Sequence, residues 1–445
     1  MGRIRLLLGG SAVSVLLALP GGVGERPLPL RSESPATAAL MGLVGDEQGS
    51  RLVQVDPSTL ATVHASARVG YYDGWVRSPD GKLLVVATHS PRDTGAQVST
   101  IRFVNTGTLK FVRTGVRLDG FFRAALWPSL GRLLALTGSC CNSDLELATV
   151  DTVAKRVVAR RTIPGVVLDI VRSADGLVLL AAPPNEIGPA RLVAVEGDGS
   201  VRTVALDRIQ AGSHWPEEST QDPIGTMREP GLAVDPKGGV AYVVDPAGLV
   251  AAVRLADRGV TYHTAVAAQS LLGRLSHWLT PVASAKGMNG PIRTAVWLGD
   301  GMLAVTGSDS SALRRKDGTM VISGRPAGLS VIDTRDWTAR TIDAGADAAT
   351  VADGVLLTTG GTFRVEGSTN TTTGEGIVAR GPNGSVRWRL FPGTAAWVVG
   401  AHGDRAVVQQ NGGQTFDLVD LETGKVLRSL GSTYPWLLLG SGSAS

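Results

Sequence analysis

Residues 415–431, TFDLVDLETGKVLRSLG, read as strand, turn, strand. Phe416, Leu418 and Val419 lead into an Asp-x-x-Thr-Gly turn at 420–424, and Val426, Leu427 and Leu430 lead out of it. Weaker copies run back along the chain at 51–63, 99–112, 191–204 and 328–342. Repetition at this spacing fixes a repeat architecture before any single residue is interpreted. It leaves the ligand, or the reaction, open.

A second run recurs beside it. DGKLLVVAT (80–88), GRLLALTG (131–138), DGLVLLAA (175–182), KGGVAYVV (237–244), DGMLAVTG (300–307), DGVLLTTG (353–360) and GDRAVVQQ (403–410) are short and almost continuously apolar. That is what a strand buried on both faces requires. Asp-Gly and its relatives supply the positive-φ residue of a tight hairpin. The flanking runs alternate more clearly, as strands with one wetter face should. Four strands per unit account for the pattern. Strands within 39–63 precede the complete units and lack a first strand, and an orphan apolar strand, 434–439, follows the last. Pairing the two ends would close a ring and remove its open edges. The expectation is an all-β fold, a β-propeller of eight four-stranded blades with a split closing blade, seven blades being the alternative. Parallel β-solenoids have shorter repeats without a four-strand period.

The 445 residues fit one such domain. The 57 Gly and 23 Pro are spread along the chain, which suits many tight turns. Residues 1–24 carry two arginines, Arg3 and Arg5, before an apolar run at 6–19, the shape of a secretory signal peptide. An uncleaved anchor is the alternative, although the run is short for a membrane span. Removing both arginines takes the formal charge of +4 to about +2, which gives no reason to propose nucleic acid. Residues 25–35 read as a linker and 36–445 as the propeller domain. Secretion, or a place in the cell envelope, is the expected location, and a monomer the expected state.

Three insertions break the rhythm, at 210–230, 267–292 and 308–328; long connections in a compact repeat fold are more often functional than accidental. In the second, Leu271, Leu272, Leu275, Trp278 and Leu279 form one helical stripe, with Ser270 as N-cap and Pro281 as terminator. A fourth stretch, 361–376, is rich in Thr and Gly and reads as a loop.

The motif hydrophobic-Val-Asp-x-x-Thr-Gly-x-Val, present at 418–426, resembles that of the β-propeller superfamily, particularly its YVTN-like and quinoprotein-like branches. The resemblance covers nearly all of 36–445. It implies the fold and is nearly silent about activity, since propellers host enzymes and pure binding proteins alike. The adjacent pair Cys140 and Cys141 is similar to the vicinal cysteines that pack against the cofactor in eight-bladed quinone-dependent alcohol dehydrogenases. Those enzymes also repeat a Trp at the end of most units, and here only Trp388 matches.

Read without the resemblance, Cys140 and Cys141 are the only cysteines, and export favours a disulfide between them. Its loop is too small to stabilise the fold by chain entropy, so it would rigidify a turn or face a ligand. His214, Trp215, Glu217, Glu218 and Asp222, with Glu229 nearby, make an acidic-aromatic loop that could bind a cation or simply face water. His277 and Trp278 lie on the expected helix, either packing on the propeller or meeting a ligand. Together, Cys140, Cys141, His214, Trp215, Glu217, Glu218, Asp222, His277 and Trp278 are the candidate ligand-binding residues. The turn residues Asp56, Asp333 and Asp420 are expected to hold their own turns. No His-Glu-x-x-His, Gly-x-Ser-x-Gly or phosphate-binding Gly-x-x-x-x-Gly-Lys motif occurs. No catalytic residue, metal ligand or cofactor is named by the sequence. The reading it supports is a non-catalytic exported propeller that binds a protein, a glycan or a small ligand through its loop face. The alternative is an exported propeller enzyme, either a quinone-dependent oxidoreductase or a metal-dependent lactonase or lyase.

Overall fold

A computed structural model of the chain describes residue 28 and residues 40–46, 49–89, 98–112, 115–138, 144–215, 225–267, 288–352, 354–366, 369–382, 384–410, 416–430 and 437–439. They form strands and turns, with no helix among the described residues. The stripe expected to be helical falls in 268–287, outside them.

The same antiparallel meander recurs along the chain. Phe121–Ser129, Arg132–Gly138, Leu145–Asp151 and Arg156–Ile163 pair in order as one sheet. Gly231–Asp235, Val240–Val244, Leu249–Arg254 and Val260–Thr264 form another. Ala396–His402, Arg405–Gln410, Phe416–Asp420 and Val426–Leu430 form a third. The ring closes where Leu437–Leu439, from the C-terminal end, pairs antiparallel with Met41–Asp46.

The expectation of eight separate blades, or seven, is corrected: hydrogen bonding joins the strands into five sheets of 7, 4, 15, 4 and 4. The cause is strand length. Thr62–Arg77 pairs with Gly49–Val55 through its first half and with Leu83–His89 through its second, which fuses two meanders. The fifteen-stranded sheet is fused by extensions beyond the meanders. Val201–His214 overshoots its partner and pairs with Gly225–Arg228, which pairs in parallel with Met288–Gly299. The insertion at 308–328 is a hairpin, Met302–Arg314 against Met320–Pro326. The stretch 361–376, expected to be a loop, is also a hairpin, Val355–Glu366 against Thr369–Arg380. Its Thr residues are β-branched and suit strands, and Thr362 and Thr373 join across the ladder. These two hairpins pair with each other.

The second strand of each meander lies in the core, as its composition dictates. Gly176–Ala182 is buried throughout. Its side chains alternate: Val178, Leu180 and Ala182 pack with Leu232, Val234, Ala241 and Val243 of the following meander. Leu177, Leu179 and Ala181 pack with Leu134, Leu136 and Leu147 of the preceding one. Each fully buried Leu contributes about 1.5–3 kcal/mol on transfer from water. Leu28, within the stretch read as a linker, is also core: it is 4% exposed, packs with Leu329, Val331, Ile342 and Leu356, and donates its N–H to Pro382 O at 2.7 Å.

The turn aspartates do what their positions imply. Asp56 Oδ1 accepts the N–H groups of Ser58 and Thr59 at 2.9 and 2.8 Å, and Asp420 Oδ1 accepts Thr423 N–H at 2.8 Å. Asp333 Oδ1 accepts Arg335 N–H at 3.0 Å. The fifth residue of each turn is left-handed, with φ of 52° at Leu60, 60° at Trp337 and 71° at Gly424. Only the last copy places a glycine where that conformation is free of strain. Gly424 has a second reason: the Trp388 ring lies over it, so close that a Cβ would sit 2.5 Å from the indole, and Trp388 donates its ring N–H to Leu421 O at 3.0 Å.

Candidate functional site

The meanders share one polarity. The start of the first strand meets the end of the second in the pairs Tyr71–His89, Phe121–Gly138, Val166–Ala182, Gly231–Val244 and Ala396–Gln410. First strands of neighbouring meanders touch each other, so they line the centre of the ring. Bonds between neighbours join like ends: Phe122 N–H donates to Ser99 Oγ at 2.9 Å, Asp169 accepts the N–H of Leu232, and Arg293 N–H donates to Glu229 O at 2.8 Å. One side of the ring is therefore a mouth built from strand ends, and the opposite side carries the tight turns.

Apart from the extended hairpin, where Asp317 is lowered by Thr319 of its own turn, carboxyl groups sort by side. On the turn side, Asp56 is lowered to about 2, first by Ser58 Oγ–H, and Asp151 and Asp198 are held below the usual range by backbone N–H groups of their own turns. At the mouth the direction reverses. Burial pushes Asp169 up to about 6 against the pull of the Ile170 and Leu232 N–H groups. Burial also raises Glu229, and the charge of Asp169 adds to it. Asp347, just before Ala348–Ala352, is pushed up to about 7 by burial, opposed by Gly361 N–H and reinforced by Glu375. A carboxyl raised by burial has no sufficient cation beside it. Such groups are more often found at functional than at purely structural sites.

Another group at the mouth lies between two meanders. His89 Nδ1 is 2.5 Å from Asp73 Oδ1, and Asp73 Oδ2 accepts the Ser99 hydroxyl at 3.1 Å. Asp73 is displaced into reach because the strand bulges between Tyr72 and Gly74. Tyr71 stacks on the imidazole at 5.6 Å and 21°, and Phe121 meets it edge-on at 5.6 Å and 89°.

Four aromatic side chains are exposed among the described residues: Tyr71, Trp215, Phe363 and Trp397. All belong to the mouth side. Tyr71 opens the half of Thr62–Arg77 that pairs with Leu83–His89, Trp397 is at the start of Ala396–His402, Trp215 follows the overshooting end of Val201–His214, and Phe363 is on the hairpin extension. A cleft of about 850 Å³ opens on the turn side between Ser173, Asp198, Asp235, Lys237 and Arg254. Its polar groups are largely committed to local structure: Asp198 to Ser200 N–H, Asp235 to Lys237 N–H, Arg254 to Asp257 and Glu196 to Arg202. This cleft is thus away from the unusual chemistry, and the mouth is the better candidate.

Of the residues singled out from the sequence, His214 and Trp215 are placed at the mouth. His214 Nδ1 lies 3.1 Å from Asn185 O, and Trp215 N–H donates to Asn185 Oδ1 at 3.1 Å. Cys140, Cys141, Glu217, Glu218, Asp222, His277 and Trp278 lie outside the described residues. Glu229 is beside Asp169. No group of three or more His, Cys, Asp or Glu placed to hold a metal ion occurs among the described residues. Sequence reasoning missed Asp73, Asp169, Asp347, Tyr71 and Trp397. The available signal was position: Asp169, Asp347 and Trp397 stand within a few residues of the start of a first strand, and Tyr71 and Asp73 where Thr62–Arg77 begins to pair with Leu83–His89.

No family model matches the chain, and no curated protein matches it. Solved structures do. The dihydro-heme d1 dehydrogenase NirN, in complex with DHE, is 14% identical with a TM-score of 0.51, over 94% of this chain and 79% of that one. Hydrazine synthase from Kuenenia stuttgartiensis is 19% identical with a TM-score of 0.36, over 50% of this chain. The chain spans 63% of that protein's length. BamB from Moraxella catarrhalis is 11% identical with a TM-score of 0.40, over 80% and 90% of the two chains. At these identities the likeness to NirN speaks for the fold alone, and it agrees with the ring described above: this chain is a β-propeller.

Proposed function

We propose that this chain is an exported binding propeller that takes a small ligand at the mouth of its ring without transforming it. One observation carries the reading. Every exposed aromatic among the described residues is on the mouth side, while the turn-side carboxylates are tied into their own turns. Exposed aromatic rings offer a ligand flat apolar area at low entropy cost. The buried acids Asp169, Glu229 and Asp347 add polar groups on the strands that line the ring, and apolar area with a few polar groups is the usual composition of a small-molecule site. Export belongs to the proposal and rests on the signal-like shape of 1–24.

The test is ligand capture by the mature protein. Native mass spectrometry after purification from an exporting host should show a small adduct that Trp397→Ala and Tyr71→Ala each weaken, with thermal stability unchanged. An adduct retained in full by both variants would refute the mouth as the site. A second reading, an exported enzyme, is favoured by one feature, the imidazole of His89 held by Asp73, an arrangement that also serves proton transfer. Turnover of a captured ligand, abolished by His89→Gln with binding intact, would establish it in place of the first.

A further inference from the structure

The pair Asp73–His89 raises a question of charge balance. Asp73 is nearly buried, its side chain 9% exposed. A buried carboxylate is costly unless a cation or several donors compensate it. Asp73 has two partners, the Ser99 hydroxyl and His89 Nδ1, and no Lys or Arg among the described residues. Ser99 is fully buried and its oxygen is already engaged by Phe122 N–H, which fixes the hydroxyl toward Asp73. Of its two partners, only His89 is able to carry a positive charge.

In the form that binds an anion, His89 is a donor at both nitrogens. Nδ1–H goes to Asp73. Nε2–H has no partner among the described residues, although the side chain is 24% exposed and so open to solvent. Tyr71 stacks on the ring and Phe121 lies perpendicular to it, and the two contacts fix its plane. Tyr71 is itself 41% exposed, so it offers apolar area next to the free donor.

The geometry points to a carboxylate-binding site in which His89 Nε2–H donates to the ligand oxyanion and Tyr71 receives the ligand's ring or apolar body. Asp73 is the positioning residue: its Oδ1, 2.5 Å from Nδ1, orients the imidazole so that Nε2 faces away from it. A charge-assisted hydrogen bond of this kind discriminates an anion from its neutral isostere. The inference rests on the reading of the mouth as the ligand-binding side, and narrows it to ligands carrying a carboxylate.

Benzoate and benzamide are the probes, alike in shape and different in charge. The full-length chain, labelled with 15N in histidine and tryptophan, is titrated with each at constant pH and ionic strength. The His89 signals are assigned from the spectrum of His89→Gln. Benzoate is expected to shift His89 Nε2 saturably, with benzamide weaker by about tenfold or more. His89→Gln should weaken benzoate by a similar factor, and Tyr71→Ala should weaken both probes together. Asp73→Asn should reduce the preference for benzoate over benzamide, an effect that loss of packing alone would not produce. Equal shifts from the two probes, or undiminished benzoate binding to His89→Gln, would overturn the proposal. A His89 signal untouched by benzoate would also overturn it. In that case shifts at Trp215 or Trp397 would leave the mouth as the binding side, and silence there would count against that reading too.

Discussion

Replacing Asp347 with Asn should make the protein more stable, and only above a certain pH. Asp347 has an ordinary value of 3.8 and is pushed up to about 7 in the fold, chiefly by burial. The folded state therefore holds its proton more tightly than the unfolded chain does. The favourable contribution of the protonated group is fully present below about pH 4. It is lost as pH rises toward about 7, where the folded state must ionise a poorly solvated carboxyl. A gap of about three pK units corresponds to about 4 kcal/mol at most. An effective dielectric above that of a dry interior reduces that to about 2 kcal/mol. Asn keeps an oxygen for the Gly361 N–H that Asp347 accepts, and it never ionises. Urea denaturation followed by tryptophan fluorescence, from pH 4 to pH 9, gives the comparison. The two curves of unfolding free energy should coincide near pH 4 and separate steadily, with the variant higher by about 2–4 kcal/mol at pH 8. Asp169 and Glu229 carry the same sign, so the variant should keep some of the decline. A gap that does not change with pH, or a variant less stable at pH 8, would refute the reasoning.

Other perturbations test the architecture. Leu28→Ala should cost about 2–5 kcal/mol in urea, because Leu28 fills a buried cluster far along the chain. Gly424→Ala should cost about 1–3 kcal/mol by the same assay, since it strains a φ of 71° and collides with the Trp388 ring. Arg380→Met should cost about 3–5 kcal/mol, because it leaves Asp343, paired with Arg380 Nη2 at 2.5 Å, as an uncompensated buried charge. Restoring stability with the double change Arg380→Met, Asp343→Leu would confirm the cause.

The features legible in the sequence were those that local physics dictates. Runs such as GLVLLAA are apolar without alternation because both faces are buried, and Gly176–Ala182 is a fully buried strand. Turn aspartates such as Asp420 could be assigned because their hydrogen-bond partners lie within three residues. The mouth was not legible for the converse reason. Asp73 and His89 are 16 residues apart, and nothing in YYDGW or VVATH signals that a bulge will bring them within 2.5 Å. Asp169 and Asp347 sit in ordinary-looking runs, and their upward shifts arise from burial, which only the assembled ring imposes. The fusion of meanders into five sheets was hidden in the same way. It depends on how far strands such as Val201–His214 overshoot their partners, which turn chemistry does not encode.

The pairing of Met41–Asp46 with Leu437–Leu439 gives the molecule a direction in time. A chain made or threaded across a membrane from its N-terminus presents the first of these strands well before the second. Until residues 437–439 emerge, that edge lacks its partner, and any other chain with a free strand can occupy it. Those residues act as a completion signal: ring closure reports that every meander between the two strands has arrived. A chain cut short before residue 437 would keep most of its core and leave an adhesive seam. Such products should be found in oligomers or with chaperones rather than as free rings, and a peptide spanning 431–445 supplied separately should release them.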